Sequence, residues 1–343
     1  MKAFWDPIQL AHAPLFFLQR GQVRRNFEIP ARAEALLAAC ARMKLEIAAP
    51  PPAEAAALQS VHSAAYLDFL EHGFEAWTRL EDHGPEIVPN SHPSPEMLAN
   101  GAKPSATIVG QAGWFTADTS CPVSAQTWDS AVAAAGGALA AADEAAAGRS
   151  AYALARPPGH HAYAGRAGGH CYINNAALAA ERLRAKGAAR VAVLDIDSHH
   201  GNGTQGIFWA RGDVLFVSVH GDPNGYYPWY VGHAGERGGG VGEGANLNLP
   251  LARGAEDAAW LEAIGTGLAA ISAFGAEALV VSLGFDASKD EPLRYLSVSE
   301  TGFAHAGAAI GGLRLPTAIV QEGGYNTAII GTLLERFIGA FAG

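Results

Sequence analysis

A dense cluster of carboxylates and imidazoles follows an apolar run at residues 192–203, which read AVLDIDSHHGNG. The run is typical of a buried parallel strand that ends in a polar turn. Asp195, Asp197 and His199 alternate along the chain, so in an extended backbone their side chains would face one way. Carboxylate and imidazole groups together suit a divalent metal, zinc in particular. The alternative is a helix N-cap with solvated charges, but two aspartates and two histidines directly after a buried strand favour a metal site.

Other predicted strands also carry polar groups at or just after their ends. The strands are predicted at 151–155, 191–194, 214–219, 278–283 and 317–320. The polar groups that accompany the first, third, fourth and fifth strands are His160 with His161, Ser218 with His220, Asp286, and Tyr325. Because ligands bind at the carboxyl ends of strands in open α/β sheets, we expect these groups to meet at one edge.

The residue types at this edge suit metal-assisted hydrolysis. A catalytic zinc takes three protein ligands and keeps one position open for water, and Asp197, His199 and Asp286 would supply such a set. A zinc-bound water becomes a nucleophile near neutral pH, and the metal polarises a substrate carbonyl.

Further side chains at the edge suit proton transfer and charge stabilisation. The tandem His160 and His161 offer a general base and acid. Tyr325 follows Gly323 and Gly324, and its hydroxyl could donate a hydrogen bond to a developing oxyanion. We expect Asp195 and Asn202 to orient the two histidines.

The elements that must position these groups alternate between strands and helices, which predicts an α/β fold with a mainly parallel sheet and helices on both faces. Residues 1–343 contain no linker or internal repeat, so we expect a single domain.

Two long segments are predicted to be loops. Residues 6–30 are predicted to be a long loop. Residues 84–122 lack sustained periodicity and are predicted to be an insertion loop. Trp114 and Phe115 within it could line a pocket or a subunit contact, the alternative being a plain surface excursion.

Composition excludes several classes of function. The 343 residues carry a formal net charge of -10, which argues against a nucleic-acid or anionic-membrane surface. The three cysteines are far apart and predict neither a disulfide framework nor a structural zinc finger. The chain lacks a signal-peptide pattern and an apolar run of membrane-spanning length, so we expect a cytoplasmic protein.

The motifs resemble those of the histone deacetylase superfamily, which has an arginase-like fold. The resemblance covers nearly the whole chain. The matching segments are RPPGHHA (156–162), CYINNAA (171–177), DIDSHHGNGTQ (195–205), SVHGDP (218–223), SLGFD (282–286) and EGGY (322–325). The resemblance implies zinc on Asp197, His199 and Asp286. It also implies His161 as general base and acid, His160 as its electrostatic partner, and Tyr325 as carbonyl activator.

Family members also bind potassium, mainly through main-chain oxygens. The matching positions for a site beside the zinc are Asp195, Asp197, His199, Ser218 and Val219, and those for a second site are Phe208, Arg211 and Val214. At position 202 the chain has Asn, where many deacetylases carry Asp. In this respect the chain is similar to the class II and bacterial amidohydrolase branch.

Within the superfamily the chain is similar to the bacterial acetylpolyamine amidohydrolases, notably at GQAGWF (110–115). That resemblance implies a homodimer whose 84–122 insertion narrows the substrate channel, and a small N-acyl amine as substrate. The implied channel residues are Val109, Trp114, Phe115, Gly169, His170, Glu322, Gly323 and Gly324.

Two positions depart from the acetylpolyamine pattern and leave the substrate open. Val109 stands where the polyamine enzymes carry an acidic residue, and His170 replaces the family's channel aromatic. A small neutral amide, of the dimethoate type for example, is therefore an alternative substrate. A protein-lysine deacetylase and a non-catalytic metal-binding protein are less favoured, the latter because Tyr325 is present.

Overall fold

Strand formation follows the apolar runs, and the expected α/β class with a mainly parallel sheet is confirmed. The computed structural model describes residues 1–343. Eight strands form one parallel sheet in the order β4-β1-β5-β10-β9-β6-β7-β8, and β2 and β3 form a separate antiparallel hairpin. The strands are β1 (Lys2–Phe4), β2 (Phe16–Gln19), β3 (Gln22–Arg25), β4 (Glu46–Ala48), β5 (Ala151–Ala153), β6 (Val191–Asp195), β7 (Val214–Gly221), β8 (Asn246–Leu251), β9 (Ala278–Leu283) and β10 (Thr317–Gln321).

Helices cover both faces of the sheet. They are α1 (Pro30–Arg42), α2 (Ala55–Gln59), α3 (Ala64–Trp77), α4 (Pro95–Ala99), α5 (Ile108–Phe115), α6 (Thr127–Ala146), α7 (Asn175–Ala185), α8 (Asn202–Phe208), α9 (Asp257–Phe274), α10 (Glu300–Gly311) and α11 (Ile330–Phe341). None of the helices combines the length and apolar character needed to span a bilayer.

The hydrophobic core is divided in two by the sheet, because successive side chains of a strand point to opposite faces. In β6, Val191 and Val193 pack into the core beneath α3, α6 and α7, whereas Ala192 and Leu194 pack into the core beneath α1, α9, α10 and α11. The interior positions of strands buried on both faces are mostly apolar. Most of the polar groups therefore lie at the carboxyl ends of the strands and in the loops that follow them.

Two regions differ from the sequence-based prediction. The long loop predicted at 6–30 contains a 3-10 turn at Pro7–Ala11 and the β2–β3 hairpin. The insertion at 84–122 contains α4 and α5 rather than irregular chain alone. Strand β8, which was not predicted, closes one edge of the sheet beside β7.

Candidate active site

The strands predicted to carry the polar groups are neighbours in the sheet. Strands β5, β10, β9, β6 and β7 lie side by side, so the loops after them converge at one edge. Asp195 ends β6 and pairs in register with Ser282 of β9 and Ser218 of β7. The edge therefore brings together residues that are far apart along the chain.

Asp197, His199 and Asp286 form a compact cluster at this edge, with one ligand atom from each within 4.8 Å of the others. His199 Nδ1 lies 2.8 Å from Asp286 Oδ2 and 3.2 Å from Asp197 Oδ1. The backbone N–H groups of Gly323 and Ser198 donate to the remaining oxygens of Asp197 and Asp286, both at 2.8 Å. Two carboxylates and an imidazole held in this way fit a divalent metal ion.

Two glycines make room for the carboxylates of this cluster. A Cβ at Gly284 would lie 2.0 Å from Asp197 Oδ2, and a Cβ at Gly323 would lie 2.6 Å from the same oxygen. Only glycine allows the backbone to approach the acid cluster so closely. The SLGFD and EGGY motifs thus contain glycine for a steric reason.

The tandem histidines lie beside this cluster, each fixed by a different partner. His160 Nδ1 lies 2.9 Å from Asp195 Oδ2, and His161 Nδ1 lies 2.6 Å from Asn202 Oδ1. Their ring centroids are 3.9 Å apart. Asp195 and Asn202 therefore contact the histidines that they were predicted to orient.

The two histidines differ in charge. Burial alone would lower the pKa of His160, but the charges of Asp195 and Asp197 raise it to about 10. Burial, together with the neighbouring charges of His160 and His199, lowers the pKa of His161 well below its usual value. The pair thus places a cationic imidazole beside a neutral one.

Glu322 lies beneath the histidines rather than in the channel, which corrects its predicted place. Its Oε2 accepts hydrogen bonds from the backbone N–H groups of Gly159 and His160, at 2.7 and 3.1 Å, and Ser282 Oγ donates to Oε1. The side chain is fully buried. Glu322 therefore fixes the backbone that carries the tandem histidines.

Tyr325 reaches the cavity because the chain turns sharply at Gly324, whose φ is +112°. The backbone N–H of Tyr325 donates to Glu291 Oε1 at 2.6 Å, and the Arg32 guanidinium lies 4.9 Å from the ring centroid. Burial raises the pKa of the Tyr325 hydroxyl well above 10, which keeps it a hydrogen-bond donor. Glu291 and Arg32 were not predicted to belong to the site.

A cavity of about 500 Å³ opens over these groups. His161, His199 and Tyr325 line it, together with Gly169 and His170 as predicted. Residues 118–120, at the end of the insertion that was predicted to narrow the channel, also line it. The other walls come from segments that were not predicted to belong to the site: the β2–β3 hairpin, residues 225–227, Trp229, Arg253 and residues 292–294. Tyr226 stacks on His199 with ring centroids 4.4 Å apart, so an aromatic side chain packs against one member of the acid and histidine cluster.

Three residues of the insertion do not line this cavity, contrary to the prediction. Phe115 is buried against Phe69, with centroids 5.2 Å apart. Trp114 lies beneath Arg166 in a separate surface depression, and Val109 is exposed on α5. The apolar face of α5 packs onto α3, which turns these side chains away from the cavity.

The proposed potassium positions lie around β6, β7 and the end of α8. Ser218 and Val219 are buried in β7 next to Asp195. Arg211 follows α8, where its backbone N–H donates to the Phe208 carbonyl, and Val214 begins β7. Binding of potassium at these positions stays a prediction.

Comparisons with known proteins agree with this geometry. Residues 26–341 match the family model described as Histone deacetylase domain. An acetylpolyamine amidohydrolase of Burkholderia pseudomallei is 44% identical over 99% of this chain and 98% of that protein. Acetylpolyamine amidohydrolase 1 of Pseudomonas aeruginosa is 42% identical over 93% of this chain and 94% of its own length. The crystal structure of an acetylpolyamine aminohydrolase from Burkholderia pseudomallei covers 100% of this chain and 98% of that chain, with a TM-score of 0.95 and 43% identity.

Replacing Glu322 tests its role beneath the histidines. Glu322→Ala leaves two buried N–H groups without an acceptor, so we expect the free energy of unfolding to fall by about 2–4 kcal/mol. Urea titration followed by circular dichroism measures the change. Glu300→Gln, at an exposed ion pair with Arg336, should change it by less than about 0.5 kcal/mol. Equal stabilities of the two variants would contradict this role for Glu322.

Proposed function

The chain belongs to the histone deacetylase family, and from this membership we propose that it is a zinc-dependent enzyme that releases the acyl group of small N-acyl amines. It is a hydrolase that acts on amide bonds, as the matched amidohydrolases are named. The observation that carries the proposal is the convergence of Asp197, His199 and Asp286 in one cluster, whose His199 lines a cavity together with Tyr325 and His161.

The metal would be held by Asp197, His199 and Asp286, whose donor types and spacing fit zinc. When bound, zinc supplies a Lewis acid for the substrate carbonyl and a water of lowered pKa. Potassium is proposed beside it, because Asp195 and Asp197 place buried negative charge next to the main chain of β6 and β7.

His161 is proposed as the group that takes a proton from water and returns it to the leaving amine. Its Nδ1 is held by Asn202, so Nε2 is the ring nitrogen available to the cavity. The neutral imidazole is the form that can accept a proton. His160, paired with Asp195, contributes a neighbouring positive charge that stabilises negative charge developing on the substrate.

Tyr325 is proposed to donate a hydrogen bond to the carbonyl oxygen as negative charge develops there. Tyr325 lines the cavity, and its backbone N–H is held by Glu291. A donor held in place before the reaction needs no reorganisation, which is why such groups contribute strongly to rate.

The walls of the cavity favour a slender substrate. Tyr226, Tyr227 and Phe17 leave a space of about 500 Å³, which suits an unbranched amide. Acetylpolyamines are the substrates for which the matched relatives are named. A small neutral amide is the second candidate. Asp118 is the one acidic residue in the cavity wall that could bind a substrate cation, and it already accepts hydrogen bonds from Tyr227 Oη and the Gly169 N–H.

A homodimer that uses the 84–122 insertion is also proposed. Met97, Leu98 and Val109 are exposed apolar side chains on its two helices. Clustered apolar groups at a surface are typical of a protein interface. A cytoplasmic location is proposed because Cys40, Cys121 and Cys171 are all unpaired thiols.

Removal of the metal should abolish activity and lower thermal stability together. A ligand that binds only the folded state stabilises it by about 2.7 kcal/mol at 100 times its Kd. We therefore expect dipicolinate treatment to lower the Tm and stop acetate release, and added Zn²⁺ to restore both. Asp286→Asn is the matched variant, and its Tm should respond weakly to Zn²⁺. A Tm of the native chain that does not respond to zinc would contradict the proposed site.

Replacing Tyr325 and His161 tests their roles in turnover. Tyr325→Phe removes only the hydroxyl, and we expect kcat to fall about 100-fold or more. His161→Ala should reduce kcat at least as much. Both are measured as acetate release by the zinc-loaded enzyme, with Tyr230→Phe, a fully exposed tyrosine, as control. Unchanged turnover in either variant would remove that residue from the mechanism.

Light scattering coupled to size-exclusion chromatography tests the dimer. The wild-type chain should have twice the mass of one chain, and Met97→Glu with Leu98→Glu should give a monomer, because charge disfavours burial of this surface. Ile47→Glu, at an exposed apolar position on the edge strand β4, should leave the mass unchanged. A monomeric, fully active wild-type chain would contradict the proposal.

A further inference from the structure

Three arginines line the cavity together with the catalytic groups, and the mechanism above uses none of them. Arg20, Arg253 and Arg294 all line the cavity wall, and all three are solvent-exposed. No ion pair joins any of them to a carboxylate of the chain. In a chain with a net charge of -10, unpaired positive charge is thus concentrated at the mouth of this cavity.

Two stacked tyrosine rings lie between Arg253 and His199, one of the proposed metal ligands. Its guanidinium lies 5.1 Å from the Tyr295 ring centroid, and the Tyr295 ring stacks on Tyr226 at 4.4 Å. Tyr226 in turn stacks on His199 at 4.4 Å. Arg253 is therefore connected to His199, a proposed metal ligand, through the rings of Tyr295 and Tyr226, and both residues line the same cavity.

The segment that carries Arg294 is tied to the same stack. Tyr226 Oη donates to the Leu293 carbonyl at 3.2 Å, and the backbone N–H of Arg294 donates to the Glu291 carbonyl at 3.2 Å. One guanidinium nitrogen, Nη1, donates to the Lys289 carbonyl at 3.1 Å. The other two nitrogens remain available to a ligand.

Arg20 belongs to a separate segment of the cavity wall, the turn between β2 and β3. Its backbone has a φ of +52°, followed by Gly21 at +72°, which makes a tight hairpin turn. The Leu18 N–H donates to the Thr119 carbonyl at 3.3 Å, which ties the hairpin to the cavity wall. Positive charge therefore lines more than one side of the opening.

The single carboxylate of the wall does not balance this charge for an incoming ligand. Asp118 accepts hydrogen bonds from Tyr227 Oη at 2.6 Å, the Ser120 N–H at 2.7 Å and the Gly169 N–H at 3.1 Å. These donors occupy most of its acceptor positions, and its single negative charge is outnumbered by the three guanidinium groups. A substrate cation would meet three guanidinium groups and one carboxylate that is already engaged.

We propose that the preferred substrates of this enzyme are N-acyl amines that carry an anionic group, a carboxylate or a phosphate, at the end remote from the acyl group. Guanidinium groups bind both anions through paired hydrogen bonds. The aromatic walls hold the apolar stem, and the arginines at the mouth attract the anion and repel an ammonium group. This inference rests on the proposed function and specifies its substrate class.

Three acetamides of similar length and different terminal charge test the proposal. They are 4-acetamidobutanoate, N-butylacetamide and N-acetylputrescine, with a matching six-carbon series and 4-acetamidobutyl phosphate to distinguish carboxylate from phosphate. We expect kcat/KM of the zinc-loaded enzyme to be about tenfold higher for an anion than for the neutral amide, and lower still for the cation. The preference should weaken as salt screens the charges.

Charge variants separate the effect of the three cavity arginines on substrate preference from the effect of the protein's net charge. Replacing Arg20, Arg253 and Arg294 together by Gln should abolish the preference for the anion over the neutral amide. Replacing Arg79, Arg237 and Arg336 by Gln changes the net charge equally at exposed sites outside the cavity, and should keep the preference.

Two results would overturn the inference, and they differ from failure of the proposed function. Equal kcat/KM values for the three tails, or a preference for N-acetylputrescine, would refute an anionic substrate while leaving amide hydrolysis intact. Absence of hydrolysis of every amide in the panel would refute the proposed function itself, and the substrate class with it.

Discussion

Buried negative charge at the carboxyl edge of the sheet is the constraint on which the rest of the site depends. Asp195, Asp197, Asp286 and Glu322 are all fully buried. An isolated carboxylate in such surroundings would cost many kcal/mol, so each needs hydrogen bonds or positive charge nearby. Imidazoles and backbone N–H groups supply part of this compensation, and the cluster of Asp197, His199 and Asp286 is arranged to receive a cation.

The parallel sheet is what makes such a cluster possible. Adjacent parallel strands end at the same edge, so acids at the end of β6 and in the loops after β6, β9 and β10 meet without a long detour of the chain. Each buried carboxylate also fixes a neighbouring segment: Glu322 holds the chain of the tandem histidines, and Asp197 holds Gly323. The buried carboxylates thus hold the loops in place through hydrogen bonds, in addition to supplying groups for the chemistry.

The sequence predicts this centre well because its signals are local. Apolar runs mark the strands, and acids and histidines directly after them mark the edge. The walls of the cavity were harder to predict. Residues 16–25 form a hairpin whose strands have little apolar alternation, and β8 reads NLNLPL, with asparagines that are unusual in strands. Asn246 and Asn248 are tolerated there because both donate to Gln205 Oε1, a contact that no local pattern reveals.

Which side chains of a helix face the channel depends on the rotation of the helix about its axis, and no local sequence pattern reveals that rotation. Trp114 and Phe115 face away from the cavity because α5 packs its apolar face on α3. Glu322 was expected in the channel, but its carboxylate turns down to the N–H groups of Gly159 and His160. Arginines from three loops contribute to the cavity wall, and they are the basis for the proposal of an anionic tail on the substrate.

Anomalous diffraction from zinc-loaded crystals tests the central claim most directly. Data collected on either side of the zinc absorption edge should show one strong peak per chain between the side chains of Asp197, His199 and Asp286. Crystals of Asp286→Asn grown in the same way should show a much weaker peak there. A zinc peak elsewhere in the chain, with none among these three residues, would contradict the account.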